Sequence, residues 1–185
     1  MSVLDIFVYP DPILKKKAAS IESIDESIHQ LIHDMADTLY SVQGIGLAAP
    51  QVGFSKQLLL YDLDRNDLQE GLSDEERLQQ KNYKVIINPE IILTEGTVLS
   101  ENEGCLSVPD FRSDVYRAKK IHLKAMDEHG NAIDIETDDF LSVVLQHEVD
   151  HLNGVLFIDY VSSLKREMYK RRIMKKRKKN KRKKE

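Results

Sequence analysis

Phe140-Leu141-Ser142-Val143-Val144-Leu145-Gln146-His147-Glu148-Val149-Asp150-His151 is an apolar run that closes on two histidines four residues apart. Residues with that spacing share one face of an α-helix, one turn above the other. Both imidazoles can therefore close on a single divalent ion. Glu148, one step round the helix, can reach a water at that ion without ligating it. This is the H-E-x-x-H arrangement of metal-assisted hydrolysis. Two surface histidines beside an acidic residue form the bland alternative. The apolar residues Phe140, Leu141, Val143, Val144 and Leu145 weigh against it, because they predict a buried helix.

Two imidazoles do not complete a site. Cys105 is the only cysteine, so an intrachain disulfide is excluded and a reducing compartment is expected. It lies in Glu103-Gly104-Cys105-Leu106-Ser107-Val108-Pro109, where Gly104 permits close backbone approach and Pro109 is expected to stop regular strand pairing. A thiolate there would complete a Cys-His-His triad and leave a fourth position open for water, as a catalytic site requires. A third stretch, Gly44-Ile45-Gly46-Leu47-Ala48-Ala49-Pro50-Gln51-Val52-Gly53, is a loop of small residues that lets backbone approach a ligand. It carries neither a dinucleotide fingerprint nor a Walker lysine.

Taken together and in order, GIGLAAPQVG (44–53), EGCLS (103–107) and QHEVDH (146–151) resemble the three signature motifs of the peptide deformylases. The resemblance runs from Tyr9-Pro10-Asp11-Pro12 to just past the histidine helix. It implies a metal held by Cys105, His147 and His151, with Glu148 as general acid–base. It implies an oxyanion bound by the Gln51 amide and the backbone N–H of Leu106. The substrate implied is the N-formylmethionine of nascent peptides, with Gly44, Ile45, Gly46, Arg112, Phe140, Val143 and Val144 around it. Ferrous iron is the implied native ion, although a Cys-His-His set also accepts zinc, nickel or cobalt. Arg117 is a candidate partner for Glu103, with a plain surface ion pair as the alternative. Gln146 belongs to the motif without a role of its own.

Composition fits one domain with a real core. No signal peptide and no apolar run long enough to span a membrane occur, so a soluble, cytoplasmic protein with no membrane or DNA partner is expected. The net charge of −4 hides a division. Residues 1–164, the expected catalytic domain, hold 13 Lys and Arg against 29 Asp and Glu; residues 165–185, a basic C-terminal helix or tail, hold 14 against 2. Ser162 or Ser163 can cap that helix, and Leu164, Met168 and Tyr169 are expected to pack its first turns. Lys175–Lys184 is expected to repel itself out of order. Such a helix resembles the segment by which some deformylases dock beside the ribosomal exit tunnel, and phosphate-rich RNA would attract it.

The remaining pattern predicts an α+β fold with mainly antiparallel sheet, and the deformylase resemblance implies small sheets packed around a central metal-binding helix. A capping box of Ser23 and Glu26 opens an amphipathic helix over residues 24–42. Strands are expected at Gln57–Leu63, Val85–Ile87, Gly96–Glu101, Ile121–Asp127 and Ala132–Glu136, the last two joined by a hairpin turn. Asp64–Asn82 is a polar insertion with a short helix after Ser73. His29, His33, His122 and His129 earn no ligand assignment. Two rival functions remain. A zincin-type endopeptidase shares the histidine motif, but the extended pattern wants a third histidine where Phe157 stands, although Gly154 fits it. An RNA-binding module with a structural zinc would want a fourth protein ligand.

Overall fold

The computed structural model of the chain describes residues 3–64, 73 and 81–182. The elements are α1 (Glu26–Ser41), β1 (Gly46–Ala48), β2 (Leu58–Tyr61), β3 (Lys84–Glu95), β4 (Val98–Cys105), β5 (Val108–Arg117), β6 (Lys120–Met126), β7 (Ala132–Thr137), α2 (Phe140–Leu152) and α3 (Ser163–Arg182). Five strands form one antiparallel sheet in the order β1-β2-β3-β6-β7, and β4 pairs with β5 alone. The polar insertion and its expected helix lie almost wholly outside the described residues.

The sheet is buried on both faces because its central strands are apolar at consecutive positions. In a strand, successive side chains point to opposite faces. Leu58, Leu60, Val85 and Ile87 therefore meet Leu31, Ile32, Met35 and Leu39 of α1. Leu59, Ile86, Ile121 and Leu123 meet Leu145, Val149 and Leu152 of α2 on the other side. On its far side α2 faces the β4–β5 pair, with Phe157 of the following turn between them. The histidine helix is thus enclosed by sheet on two sides, as the deformylase resemblance implies.

Helix ends follow capping chemistry, with one correction. Asp25, not Ser23, is the N-cap of α1; its carboxylate accepts from the N–H groups of Ser27 at 3.0 Å and Ile28 at 3.2 Å. A carboxylate also complements the helix dipole, which favours Asp25 over the serine upstream. Asp139 caps α2 through Leu141 N at 2.8 Å. Gly154 ends α2 with φ 72°, and a Cβ there would lie 2.7 Å from the Lys15 carbonyl oxygen. A backbone reason therefore accounts for this glycine, independent of any peptidase pattern.

Two strands run through prolines, of which Pro109 is expected to stop regular pairing. β3 continues past Pro89, where its register with β6 shifts between Ile87 and Glu90. β5 starts at Val108 and passes Pro109, in the register shift between Gly104 and Cys105. At a bulge the missing N–H of proline leaves no ladder bond broken. The basic helix departs from expectation in part: Tyr169 packs on the body as expected, joined by Ile173 against Tyr9, Leu14 and Val108, but Leu164 and Met168 are exposed. It extends as helix to Arg182. Lysine and arginine are good helix formers, and Arg172, Lys176 and Arg177 are tied to the body through Asp110 and the Val8 carbonyl. Among the described residues no helix is long and apolar enough to cross a membrane.

Candidate active site

One turn of α2 separates His147 from His151, whose ring centroids are 5.0 Å apart. Cys105 ends β4 and brings its Sγ to 3.2 Å from His151 Nε2. Ligand atoms of all three residues lie within 4.8 Å of one another. The donor set fits a divalent cation on chemical grounds. One soft thiol and two imidazoles suit zinc, iron, cobalt or nickel. Burial, reinforced by nearby positive charge, holds the His151 pKa well below its usual range, which keeps the ring neutral for ligation. Its Nδ1 is buried and meets no hydrogen-bonding partner among the described residues.

The other histidine is oriented by a buried ionic chain. Glu103 Oε1 lies 2.7 Å from His147 Nδ1, which fixes the proton on that nitrogen and leaves Nε2 as the donor. Arg117 grips both Glu103 oxygens, Nε to Oε2 at 3.1 Å and Nη2 to Oε1 at 2.5 Å. Its Nη1 donates to Asp150 at 2.5 Å, and the Tyr160 ring lies 5.0 Å from the guanidinium. Arg117 is 5% exposed, so the pairing with Glu103 is an interior feature and not a surface bridge. Burial pushes the Glu103 carboxyl up, but hydrogen bonds from His147 and Arg117 outweigh it and hold the pKa at about 2. Asp150 carries this role inside the histidine motif without any sequence signal that separates it from a surface acid. Gln146 also gains one: its amide donates to Ala118 O and accepts from Ala118 N, both at 2.9 Å, fixing α2 to the β5–β6 turn.

Glu148 is buried beside the triad, and its Oε2 meets no hydrogen-bonding partner among the described residues. Burial is the main cause that pushes its pKa up to about 7. The carboxylate lies against Gly46 so closely that a Cβ at position 46 would come within 2.3 Å of Oε1. Close approach, not a special dihedral, is why glycine stands there. Gln51 accepts from Ala48 N at 2.7 Å through Oε1, which turns its amide nitrogen to Cys105 Sγ at 3.5 Å and Ser107 Oγ at 3.4 Å. Ser107 was not singled out by the sequence. It is fully buried, donates its N–H to the Cys105 sulfur at 3.4 Å and accepts from Tyr9 N at 2.8 Å.

A cavity of about 920 Å³ opens above these groups. Gly44, Ile45, Gly46, Gln51, Leu106, Arg112, Phe140, Val143, Val144 and Glu148 all line it, as do Cys105 and His147. Val144 is buried, while Ile45 and Phe140 stand exposed at the mouth. Arg112 donates to Asn102 O at 3.1 Å and packs over Gly104. His29 and His33 are half-buried and exposed on α1, and His122 pairs with Asp134 on the sheet.

A half-buried thiol and two imidazoles beside a buried carboxylate, at the floor of a cavity of about 920 Å³, define a metal-dependent hydrolase. Comparison with known proteins narrows this class. The sequence model of the polypeptide deformylase family matches residues 3–167, and the chain belongs to that family. A peptide deformylase of Desulfosudis oleivorans is 45% identical over 94% of this chain and 94% of its own length. The crystal structure of a peptide deformylase from Legionella pneumophila is similar with a TM-score of 0.82 at 40% identity, covering 98% of this chain and 99% of that one. That of Ehrlichia chaffeensis peptide deformylase in complex with actinonin gives 0.83 at 37% identity, covering 95% and 98%.

Proposed function

We propose that the chain removes the formyl group from the N-terminal formylmethionine of newly made proteins, releasing formate. The observation that carries this reading is the Glu148 carboxylate, whose Oε2 has no hydrogen-bonding partner among the described residues, buried against Gly46 beside Cys105, His147 and His151 at the floor of the cavity. A divalent cation held by those three residues would supply Lewis-acid activation of water and of the carbonyl at neutral pH. Glu148 takes a proton from the attacking water and returns it to the leaving amine. The Gln51 amide, already turned toward Cys105, and the backbone N–H of Leu106 donate to the oxyanion formed on the formyl carbon. Ile45, Val143, Val144 and Phe140 receive the methionine side chain, and Gly44, Gly46 and Arg112 bind the peptide backbone.

Ferrous iron is the native ion in this reading, with zinc, nickel or cobalt as substitutes acquired during handling. Protein purified without oxygen should carry one metal per chain and release formate from formyl-Met-Ala-Ser. Cys105→Ala should lose both the metal and the activity, by elemental analysis and a formate assay on the same sample. Formate release with metal content unaffected by that substitution would sink the assignment.

We also propose that the enzyme works in the cytoplasm and that the end of the basic helix binds ribosomal RNA near the exit tunnel. Support comes from the charge division and from the fact that Arg172, Lys176 and Arg177 are already engaged with the body, while Lys178 and Lys179 beyond them are exposed. Deleting residues 178–185 should abolish salt-sensitive co-sedimentation with ribosomes and leave peptide turnover intact. Unchanged co-sedimentation would eliminate the ribosome contact.

A further inference from the structure

One wall of the cavity is a bulge with an unusual backbone. β5 pairs with β4 at Cys105↔Val108 and again at Gly104↔Arg112, so residues 109–111 are left out of register. Pro109, Asp110 and Phe111 from this bulge all line the cavity. Asp110 has φ 59°, a left-handed conformation that non-glycine residues adopt only at some cost. Something must hold it there.

That support comes from α3. The Tyr169 hydroxyl donates to Pro109 O at 3.0 Å, Arg172 Nη2 donates to Asp110 O at 2.7 Å, and Lys176 Nζ pairs with Asp110 Oδ2 at 2.8 Å. Residues 169, 172 and 176 are spaced three and four apart, so one stripe of the helix meets two adjacent residues of the bulge. Between them Ile173 is buried, as is the Tyr169 ring itself. That ring lies 5.1 Å from Phe111, which lies 6.0 Å from Phe157, whose ring stacks 6.1 Å from His147. A packed aromatic row therefore runs from the C-terminal helix to a metal-ligand candidate. Lys176 also holds the Asp110 carboxyl below its usual range, chiefly through the hydrogen bond. The family match ends at residue 167, short of all three side chains.

We propose that Tyr169, Arg172 and Lys176 are positioning residues for substrate: they clamp the Pro109–Asp110 bulge in the shape that receives the peptide beyond its first residue. The inference rests on the substrate reading given above. Pro109 and Asp110 line the cavity but make no hydrogen bond or ion pair with Glu148, so a clamp on them acts on binding of longer peptides and not on the proton transfer. The basic stripe thus has two parts, an inner one spent on the body and an outer one facing solvent.

Steady-state kinetics on the full, metal-loaded chain test this with two substrates, formyl-Met-Ala-Ser and formyl-methionine amide. Tyr169→Phe and the double variant Arg172→Ala/Lys176→Ala should each raise KM for the tripeptide, the latter severalfold. Both should keep kcat, and both should leave the amide unaffected. Lys176→Arg should restore the wild-type KM. Amide hydrogen exchange should rise at Asp110 and Phe111 in the double variant and stay unchanged along α2. An unchanged tripeptide KM, or equal losses with both substrates, overturns the clamp. So does unchanged exchange at Asp110 and Phe111, whatever the substrate. If the wild-type chain releases formate from neither compound, the deformylase reading fails instead, and exchange alone then decides the clamp.

Discussion

Replacing Glu148 with alanine is expected to lower kcat for a formylated peptide by about 10²–10⁴-fold while the metal stays bound. The carboxylate lies outside the proposed ligand set of Cys105, His147 and His151, so its loss should remove no ligand. Its burial and its place against Gly46 suit it to proton transfer at one fixed point. Because that transfer belongs to the transition state, KM should change little. Glu148→Gln, which keeps the shape but accepts no proton, should be as inactive as the alanine variant. Metal content measured beside kcat separates this outcome from the Cys105 variant. A Glu148→Ala protein retaining more than about a tenth of wild-type turnover would show that the proton moves by another route.

Removing Glu103 should be as damaging by a different path. Glu103→Ala deprives Arg117 of its two-point partner and His147 of the acceptor at Nδ1. Breaking a buried ion pair from one side typically costs about 3–5 kcal/mol, because the surviving charge stays buried. Arg117 keeps Asp150, so the loss should fall toward the lower figure. A freed His147 ring should also weaken metal binding by about 10–100-fold. Denaturant unfolding and metal titration on one preparation would measure both. A destabilisation under about 1 kcal/mol would mean that the pair behaves as a surface bridge.

Where the sequence was readable, local spacing did the work. The histidine helix, the apolar face of α1 and the β6–β7 hairpin each declare themselves within a few residues. β5 does not, because it belongs to a two-stranded sheet and alternates weakly, with a proline at its second position. Pro109 reads as a stop to regular pairing, yet it and Pro89 both sit in bulges that only the partner strand reveals. The face of α3 was misjudged for a related reason. Its sequence is cationic nearly all round, so no periodic stripe separates the buried Tyr169, expected to pack, and Ile173 from the exposed Leu164 and Met168. Phe111, Tyr9 and Asp110, far away in the chain, make that choice.

From the chain alone came the paired imidazoles and the acid beside them, since one helical turn fixes their relation whatever surrounds it. Folding decided the rest: that sulfur arrives from forty-six positions upstream, that Glu103, Arg117 and Asp150 join beneath one ring, and that Gly46 yields its side-chain space to a carboxylate. Those relations depend on strand register and on exclusion of water, and neither is encoded within any short stretch of residues.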